Sequence, residues 1–224
     1  MNSSWQREIK AVFLKELNSE LRTKSGLITA SLFSVVTVVA LAYAAYNTSL
    51  SGTIAAGLIW VSILFATIVS IPRIFLIEEE LGTMDILRLT ARPHSIFWGK
   101  SLFSLAQSIV TAFLLAGMFV AFVGQRIYDP TLFLVSIFGG SVCLSSAVTL
   151  CGSLVAQAAN RSALAAAIAV PLLLPVVTMA VGATRGSLGA GFHQQAVNCA
   201  LGLIAYAIAS QAIGPGLFAL VWKS

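Results

Sequence analysis

The sequence predicts an all-α, polytopic membrane protein with about six transmembrane helices. Of its 224 residues, 58% are hydrophobic and only 9% are charged, and the mean hydropathy is +0.93. This balance lies far outside that of soluble domains. The charged residues are also clustered, and the apolar stretches between them approach or exceed the roughly 20 residues that cross a bilayer. Because these stretches are continuously apolar and do not alternate between apolar and polar residues, they favour helices over a β-barrel.

The charge-free stretches place the individual spans. The first stretch, 25–72, is long enough for two spans, and the polar cluster 47–52 is the natural turn between them. A leader over 1–26 precedes a single transmembrane domain over 27–224. The predicted spans are 27–46, 54–76, 97–123, 132–157, 162–183 and 196–221.

The distribution of basic residues predicts the orientation. An even number of spans puts both termini on one side of the membrane, together with the loop 73–100 and the turn at Arg161. Eleven of the thirteen Lys and Arg residues fall on that side, whereas Arg126 and Arg185 fall on the other. The positive-inside rule makes the first side cytoplasmic. Because the basic residues flank spans and no aromatic-basic motif accompanies them, membrane lipids and not nucleic acid are the expected partners.

The leader is expected to form an amphipathic helix along the cytoplasmic leaflet. Its apolar residues recur at spacings of three and four, which is typical of an interfacial helix. Glu16 and Glu20 interrupt this stripe, so a charged leader that only sets the topology is an alternative. The stripe consists of Trp5, Ile9, Val12, Phe13, Leu17 and Leu21.

The longest polar segment between spans separates the second span from the third. Gly82 is suited to end an extended second helix, since glycine adopts the left-handed conformation cheaply. Thr83 can cap a short new helix that reaches about Leu89, and Pro93 would stop it. An exposed amphipathic helix of this kind suits a groove on a partner protein. The alternative is a solvated charged linker.

Motifs in this loop and in two of the predicted spans resemble those of a known family. The pattern Glu78-x-x-x-Gly82-Thr83-x-Asp85-x-Leu87-x-Leu89 resembles the loop after the second span of ABC-2-type permeases. Together with 57–61 and the Pro-containing segment 167–175, it resembles the CcmB family, the permease subunit of the haem-exporter complex of cytochrome c maturation. The resemblance covers nearly the whole chain. The family's Leu-Pro after the loop helix is replaced here by Thr90-Ala91-Arg92-Pro93.

The resemblance implies a coupling segment at 78–95, of which 78–92 forms a helix that docks on a cytoplasmic ABC ATPase. The partners it implies are that ATPase, a haem-handling membrane subunit, a small accessory membrane subunit and a second copy of the chain. It places the protein in a bacterial-type inner membrane, where ATP hydrolysis would help release a haem-loaded periplasmic chaperone. The implied coupling residues are Glu78, Glu79, Glu80, Gly82, Thr83, Asp85, Leu87 and Leu89.

Catalytic chemistry is not expected of this chain. The segment 94–101 ends like a Walker A motif but lacks its first glycine and a preceding strand, so ATP hydrolysis is expected from a partner subunit. Lys100 is counted among the cytoplasmic charges, and the spans are expected to hold no Asp, Glu, Lys, Arg or His. This disfavours ion-coupled carriers and intramembrane acid–base catalysis. Only His94 and His193 could offer imidazole to haem iron, and no directly bound cofactor is expected.

Two prolines within the fifth span, Pro171 and Pro175, predict a kink that serves as a hinge or is purely structural. The three cysteines, Cys143, Cys151 and Cys199, all fall in spans and are expected to pack as small apolar residues. Two other functions stay open at this point. One is an ABC-2 permease for a drug, lipid or polysaccharide, and the other is a membrane scaffold that transports nothing.

Overall fold

The computed structural model describes residues 2–46, 50–70, 82, 92–155 and 161–222. Within these residues the chain forms seven α-helices and no strand, which confirms the all-helical class for this part of the protein. The helices are α1 (Asn2–Thr23), α2 (Ser25–Ala44), α3 (Gly52–Ser70), α4 (Pro93–Val123), α5 (Pro130–Val155), α6 (Arg161–Ser187) and α7 (His193–Trp222).

Three helical segments in the described residues are long and apolar enough to cross a membrane, which supports a polytopic membrane protein. They are Pro93–Val123, Pro130–Gly152 and His193–Gly216. The first two helices meet at a bend of 65° and would add a fourth crossing as one broken span, while α3 offers a shorter apolar segment, Gly52–Ile68. The total of six spans stays a prediction. The predicted ends 71–76 and 156–157 lie outside the described residues.

The length of α4 exceeds the thickness of a bilayer core. With 31 residues and a rise of about 1.5 Å per residue, the helix is roughly 46 Å long, against about 30 Å of hydrocarbon. Such a helix must tilt or extend beyond the core.

The helices pack into one bundle. Helices α5, α6 and α7 contact one another, α4 lies against α5 and is flanked by α1 and α2, and α3 packs on α6. Trp60 of α3 is fully buried among these helices. A Cβ atom on Gly140 of α5 would lie 2.0 Å from the Trp60 ring. Glycine at this position is what allows the indole to fill the space between α3 and α5.

The two connections at the end of the bundle opposite the α4 N-terminus bind to each other. The backbone amides of Tyr128 and Asp129 both donate to the carbonyl of Ser187, at 2.9 and 3.1 Å. Gly189 adopts a φ of +76°, and a Cβ atom there would lie 2.7 Å from the Tyr128 ring. The α4–α5 and α6–α7 connections therefore form one fixed unit.

Candidate functional site

A buried ion pair joins α1 to α4. Lys100 lies in the third turn of α4, and its side chain is only 1% exposed. Its Nζ lies 3.1 Å from Glu16 Oε1, and the Glu16 side chain is 12% exposed. Within the described part of the chain, Lys100 is the only charged residue buried to this degree. The predicted span 97–123 thus contains a charged residue, contrary to the expectation of charge-free spans, and α1 supplies its counter-ion.

A second polar link lies nearer the start of α4. The hydroxyl of Ser95, which is fully buried, donates to Glu8 Oε2 at 2.8 Å. Arg92, the N-cap residue of α4, places its Nε 4.0 Å from Glu8 Oε1. Because a buried hydroxyl needs a hydrogen-bond partner, Glu8 also stabilises the burial of Ser95.

An apolar contact lies between the two polar links. A Cβ atom on Gly99 would lie 2.6 Å from Val12 Cβ, so the backbone of α4 approaches α1 closely at this point. The rings of Phe13 and Phe103 meet edge to face with centroids 6.4 Å apart. We refer to the residues that connect the two helices as the α1–α4 clamp, which comprises Glu8, Val12, Glu16, Ser95, Gly99 and Lys100.

The clamp explains the irregular stripe of the leader. Glu8, Val12 and Glu16 are spaced by four residues and share one face of α1. That face contacts α4, with Val12 buried and its apolar neighbours half-buried. Glu16, which interrupts an amphipathic pattern when α1 is read alone, is thus a partner of Lys100. The placement of α1 at the membrane surface stays a prediction.

Hydroxyl groups line the contact between α4 and α5. Ser104 Oγ lies 2.9 Å from Ser145 Oγ and accepts a hydrogen bond of 2.9 Å from Thr149 Oγ1. Ser108 donates to the carbonyl of Ser141 at 3.3 Å. All five side chains are buried. Small polar residues let membrane helices approach closely and hydrogen-bond to each other.

Gln211 of α7 extends this polar contact to a third helix. Its Nε2 donates to Ser146 Oγ at 2.6 Å and lies 3.3 Å from Ser101 Oγ. The sequence reading missed these residues. The signal was present, since the hydroxyl residues of α4 recur at spacings of three and four and those of α5 at spacings of four. They are Ser101, Ser104, Ser108 and Thr111 in α4, and Ser141, Ser145 and Thr149 in α5.

A polar cluster lies at the opposite end of the bundle. Asp129 caps α5, accepting hydrogen bonds from the Leu132 amide at 3.0 Å and the Thr131 hydroxyl at 2.6 Å. The Leu132 amide first, and then the Thr131 hydroxyl, lower the pKa of Asp129 below its usual value of 3.8. His193 Nδ1 lies 3.8 Å from Asp129 Oδ2 with its side chain 68% exposed. Arg185, at the end of α6, donates to Gln195 Oε1 at 2.6 Å.

Most of the predicted coupling segment lies outside the described residues. Of its implied coupling residues, the structure describes Gly82 alone, which has a φ of +65°. This is the left-handed conformation that the sequence analysis assigned to it. The other seven are Glu78, Glu79, Glu80, Thr83, Asp85, Leu87 and Leu89. Downstream of them, Arg92 is extended and Pro93 begins α4, as expected of a proline in the first helical turn.

Helix α6 continues through both of its predicted breaking points, Pro171 and Pro175. Polar side chains reach carbonyl groups next to them: Tyr206 donates to Leu172 O at 2.9 Å, and Thr178 donates to Pro175 O at 3.0 Å. These bonds add polar contacts beside the prolines, whereas the carbonyls that the prolines leave without a backbone donor are those of residues 167 and 171, four positions earlier. The hinge role of the two prolines stays a prediction.

The described residues offer no cluster of three His, Cys, Asp or Glu side chains that could hold a metal ion. His94 and His193 are both exposed. The three cysteines are free thiols, and Cys143 donates to the Leu203 carbonyl at 2.8 Å.

Two adjoining grooves on the side of the bundle, with volumes of about 630 and 450 Å³, share Val142, Ala207 and Ile208 and are almost wholly apolar.

Comparison with known proteins identifies the family. The family model described as CcmB protein matches residues 7–221, a range that reaches into every helix of the bundle and contains all six clamp residues. The chain belongs to the CcmB family. The resemblance inferred from the loop motif is therefore confirmed. A relative named heme exporter protein B, from Bradyrhizobium diazoefficiens, is 24% identical over 216 residues, which cover 89% of this chain and 92% of the relative.

Proposed function

We propose that this chain is the membrane subunit of an ABC-type haem exporter that acts in cytochrome c maturation. In this proposal it couples a separate cytoplasmic ATPase to the release or transfer of haem, or of a haem chaperone, at the periplasmic side. The observation that carries the proposal is the CcmB family match over residues 7–221. The name of the Bradyrhizobium relative, a heme exporter protein, supports it.

The arrangement of the cytoplasmic side fits a motor-driven subunit. We propose six spans with both termini in the cytoplasm of a bacterial-type inner membrane, with the leader 1–26 and the coupling segment 78–95 on the same side. Segment 78–92 would dock on the ATPase. It leads directly into α4 at Pro93, so a displacement of the segment acts on the longest helix of the bundle.

The expected complex contains the ATPase, a haem-handling membrane subunit, a small accessory membrane subunit and a second copy of this chain. We propose that ATP and haem are bound by the partners, and that this chain is not an enzyme. The buried polar groups described above support the assignment of ATP and haem binding to the partners, because these groups bond to one another between helices. Of them, only Gln211 lines one of the two lateral grooves.

A complementation experiment tests the proposal. Deletion of the gene should abolish covalent c-type cytochromes, measured by haem staining of membrane proteins, and the plasmid-borne chain should restore them. The chain should also co-purify with an ATPase in mild detergent, and replacing Gly82, Thr83 and Asp85 together should abolish this. Normal c-type cytochromes in the deletion strain would favour a permease for another substrate. A catalytically dead ATPase that leaves maturation intact would favour a scaffold.

The side of the loop is tested separately. A cysteine placed by Thr83→Cys should react with a membrane-impermeant thiol reagent in inside-out vesicles and not in intact spheroplasts. The reverse result would remove the coupling segment from the cytoplasm and contradict the proposal. Cys143 and Cys151 are buried and provide little background, and the chain without Thr83→Cys gives the background of the partly buried Cys199.

A further inference from the structure

The clamp fixes the position of α1 along α4 at two points. Glu8 bonds to Ser95 and Glu16 to Lys100, and the two carboxylates are eight residues apart, or about 12 Å along the helix. The Val12–Gly99 contact lies between them. Residue numbers rise in the same direction in both helices, so α1 runs alongside the first turns of α4. Two polar links at this separation oppose both sliding and rotation of one helix against the other.

The Glu16–Lys100 pair is suited to fix the helix register. A shift of α1 by one turn would separate Lys100 Nζ from Glu16 and Ser95 from Glu8 at the same time, and breaking a buried ion pair is strongly unfavourable. Lys15 also lies near Glu16, with Nζ 3.7 Å from Oε1, but its side chain is 48% exposed. Lys15 can be solvated by water whatever the position of α1, so it does not fix the register.

Attachment of α1 to the bundle does not by itself require charged residues, because apolar contact can hold two helices together. A helix that serves only as a membrane anchor gains from an apolar stripe and loses from carboxylates on the same face. In α1 the face toward α4 instead carries Glu8 and Glu16, and α4 meets them with a buried hydroxyl and a buried ammonium group. The polar groups of the two helices are thus matched to each other.

We propose that Glu16 and Lys100 are positioning residues that make α1 and the first half of α4 move as one unit when the cytoplasmic segment before Pro93 is displaced. The N-terminal helix then belongs to the element that transmits the motion of the ATPase into the membrane. This inference rests on the proposed function. The inference goes beyond the proposed function by giving α1 a mechanical role and by naming the residue pair responsible.

The experiment separates ATP hydrolysis from haem export. The full chain is expressed with its ATPase and haem-handling subunits in the deletion strain, as Lys100→Met, Glu16→Gln, or the charge exchange of Glu16→Lys with Lys100→Glu. The matched control is Lys10→Met, which removes an exposed lysine from α1. For each variant we would measure chain abundance, ATP hydrolysis by the purified complex and haem-stained c-type cytochrome.

We expect Lys100→Met to assemble and to hydrolyse ATP within twofold of the wild type, while c-type cytochrome falls at least tenfold. The charge exchange should recover half or more of the cytochrome, and Lys10→Met should match the wild type. Wild-type cytochrome levels in Lys100→Met, a parallel loss of hydrolysis and cytochrome, or an assembled charge exchange without recovery would each overturn the inference. If Lys100→Met fails to accumulate, Glu16→Gln is judged by the same criteria.

A covalent link gives an independent measurement. Oxidative cross-linking of Glu8→Cys to Ser95→Cys should restore cytochrome production to the Lys100→Met variant, because it replaces the lost register contact by another at the neighbouring link. No restoration in a fully cross-linked, assembled complex would contradict the inference. The wild-type chain in the same strain tests the proposed function alone: if it restores no cytochrome, that function fails whatever the clamp variants do.

Discussion

The indole nitrogen of Trp60 in α3 donates a hydrogen bond of 2.8 Å to the hydroxyl of Thr184 in α6, and both side chains are fully buried. The same ring lies over Gly140 of α5. One side chain therefore connects three helices, through a hydrogen bond on one side and close packing on the other. An apolar aromatic ring would fill the space, but it would leave the Thr184 hydroxyl without the indole as its partner.

The hydrogen bond can be tested by a double-mutant cycle. Thr184→Val should lower the free energy of unfolding by about 1 kcal/mol, because it leaves the buried indole N–H without its partner. In a Trp60→Phe background, where no indole N–H is present, Thr184→Val should cost less. The measurement is thermal unfolding of the purified protein in detergent. Equal costs in the two backgrounds would show that the bond contributes nothing.

The packing at Gly140 predicts a steric effect. Gly140→Ala should destabilise the protein by roughly 1–3 kcal/mol, because the new methyl group would overlap the buried Trp60 ring. The matched control is Gly117→Ala in α4, where a Cβ atom would meet nothing within 4 Å. That substitution should leave stability unchanged or raise it by up to about 1 kcal/mol through helix propensity. Both are read from the midpoint of thermal unfolding, and equal midpoints would contradict the prediction.

The hydroxyl contact between α4 and α5 predicts a modest, specific loss. Ser104→Ala removes the group that bonds to both Ser145 and Thr149, and should cost about 0.6–1.7 kcal/mol, as for other interhelical hydrogen bonds in membranes. Ser31→Ala, at an exposed position of α2, is the control and should be neutral. Unfolding in SDS reports the difference. Indistinguishable curves would show that Ser145 and Thr149 bond equally well elsewhere.

The Asp129 cap predicts a pH dependence. Because its pKa is lowered below 3.8 in the folded protein, the ionised carboxylate stabilises the fold above pH 3.8, and this stabilisation is lost as the pH falls through the lowered pKa. Asp129→Ala should therefore unfold at a lower temperature than the wild type at pH 7, and the gap should narrow below pH 4. Asp129→Asn keeps a capping oxygen without a titrating group, so its stability should lack this pH dependence. A gap that widens toward low pH would refute the assignment.

Substitution of the prolines in α6 distinguishes an effect on stability from an effect on movement of the helix. Replacing Pro171 or Pro175 by Ala restores a backbone donor and a better helix former, and should leave the unfolding temperature equal or higher. If the two prolines form a hinge, c-type cytochrome production should nevertheless fall several-fold. Pro130→Ala, at the first position of α5 where proline is tolerated, should change neither quantity. Full activity in both α6 variants would assign the prolines a structural role only.

The sequence predicted those features that depend on composition along one helix. Apolar length placed the helices, and the conformational preference of Gly82 predicted its left-handed backbone. What it could not supply was the pairing of residues far apart in the chain. Lys100 counts as a flanking charge until α1 is known to lie beside it, and Glu16 disturbs an amphipathic pattern only while α1 is considered alone.

The same reasoning applies to the polar residues of the bundle. Ser104 and Ser145 are unremarkable in an apolar helix, because a serine there can bond to the carbonyl one turn earlier. Their spacing indicated a common face, but only the antiparallel packing of α4 on α5 brings the two hydroxyls within 2.9 Å of each other. The register between two helices is set by how their side chains fit together across the bundle. The spacing of residues within one helix does not reveal which residues of another helix they will contact.

The buried polar face of α4 also affects how the protein is inserted into the membrane during synthesis. Alone in lipid, α4 would expose an ammonium group and a row of hydroxyls, each of which opposes partitioning from the translocon. Glu16 has already been synthesised when α4 emerges, whereas Ser145 and Thr149 have not. The α4 helix would therefore need the earlier α1 to accept Lys100 and would gain its hydroxyl partners only when α5 follows, so insertion of this part of the chain is an ordered process involving three helices.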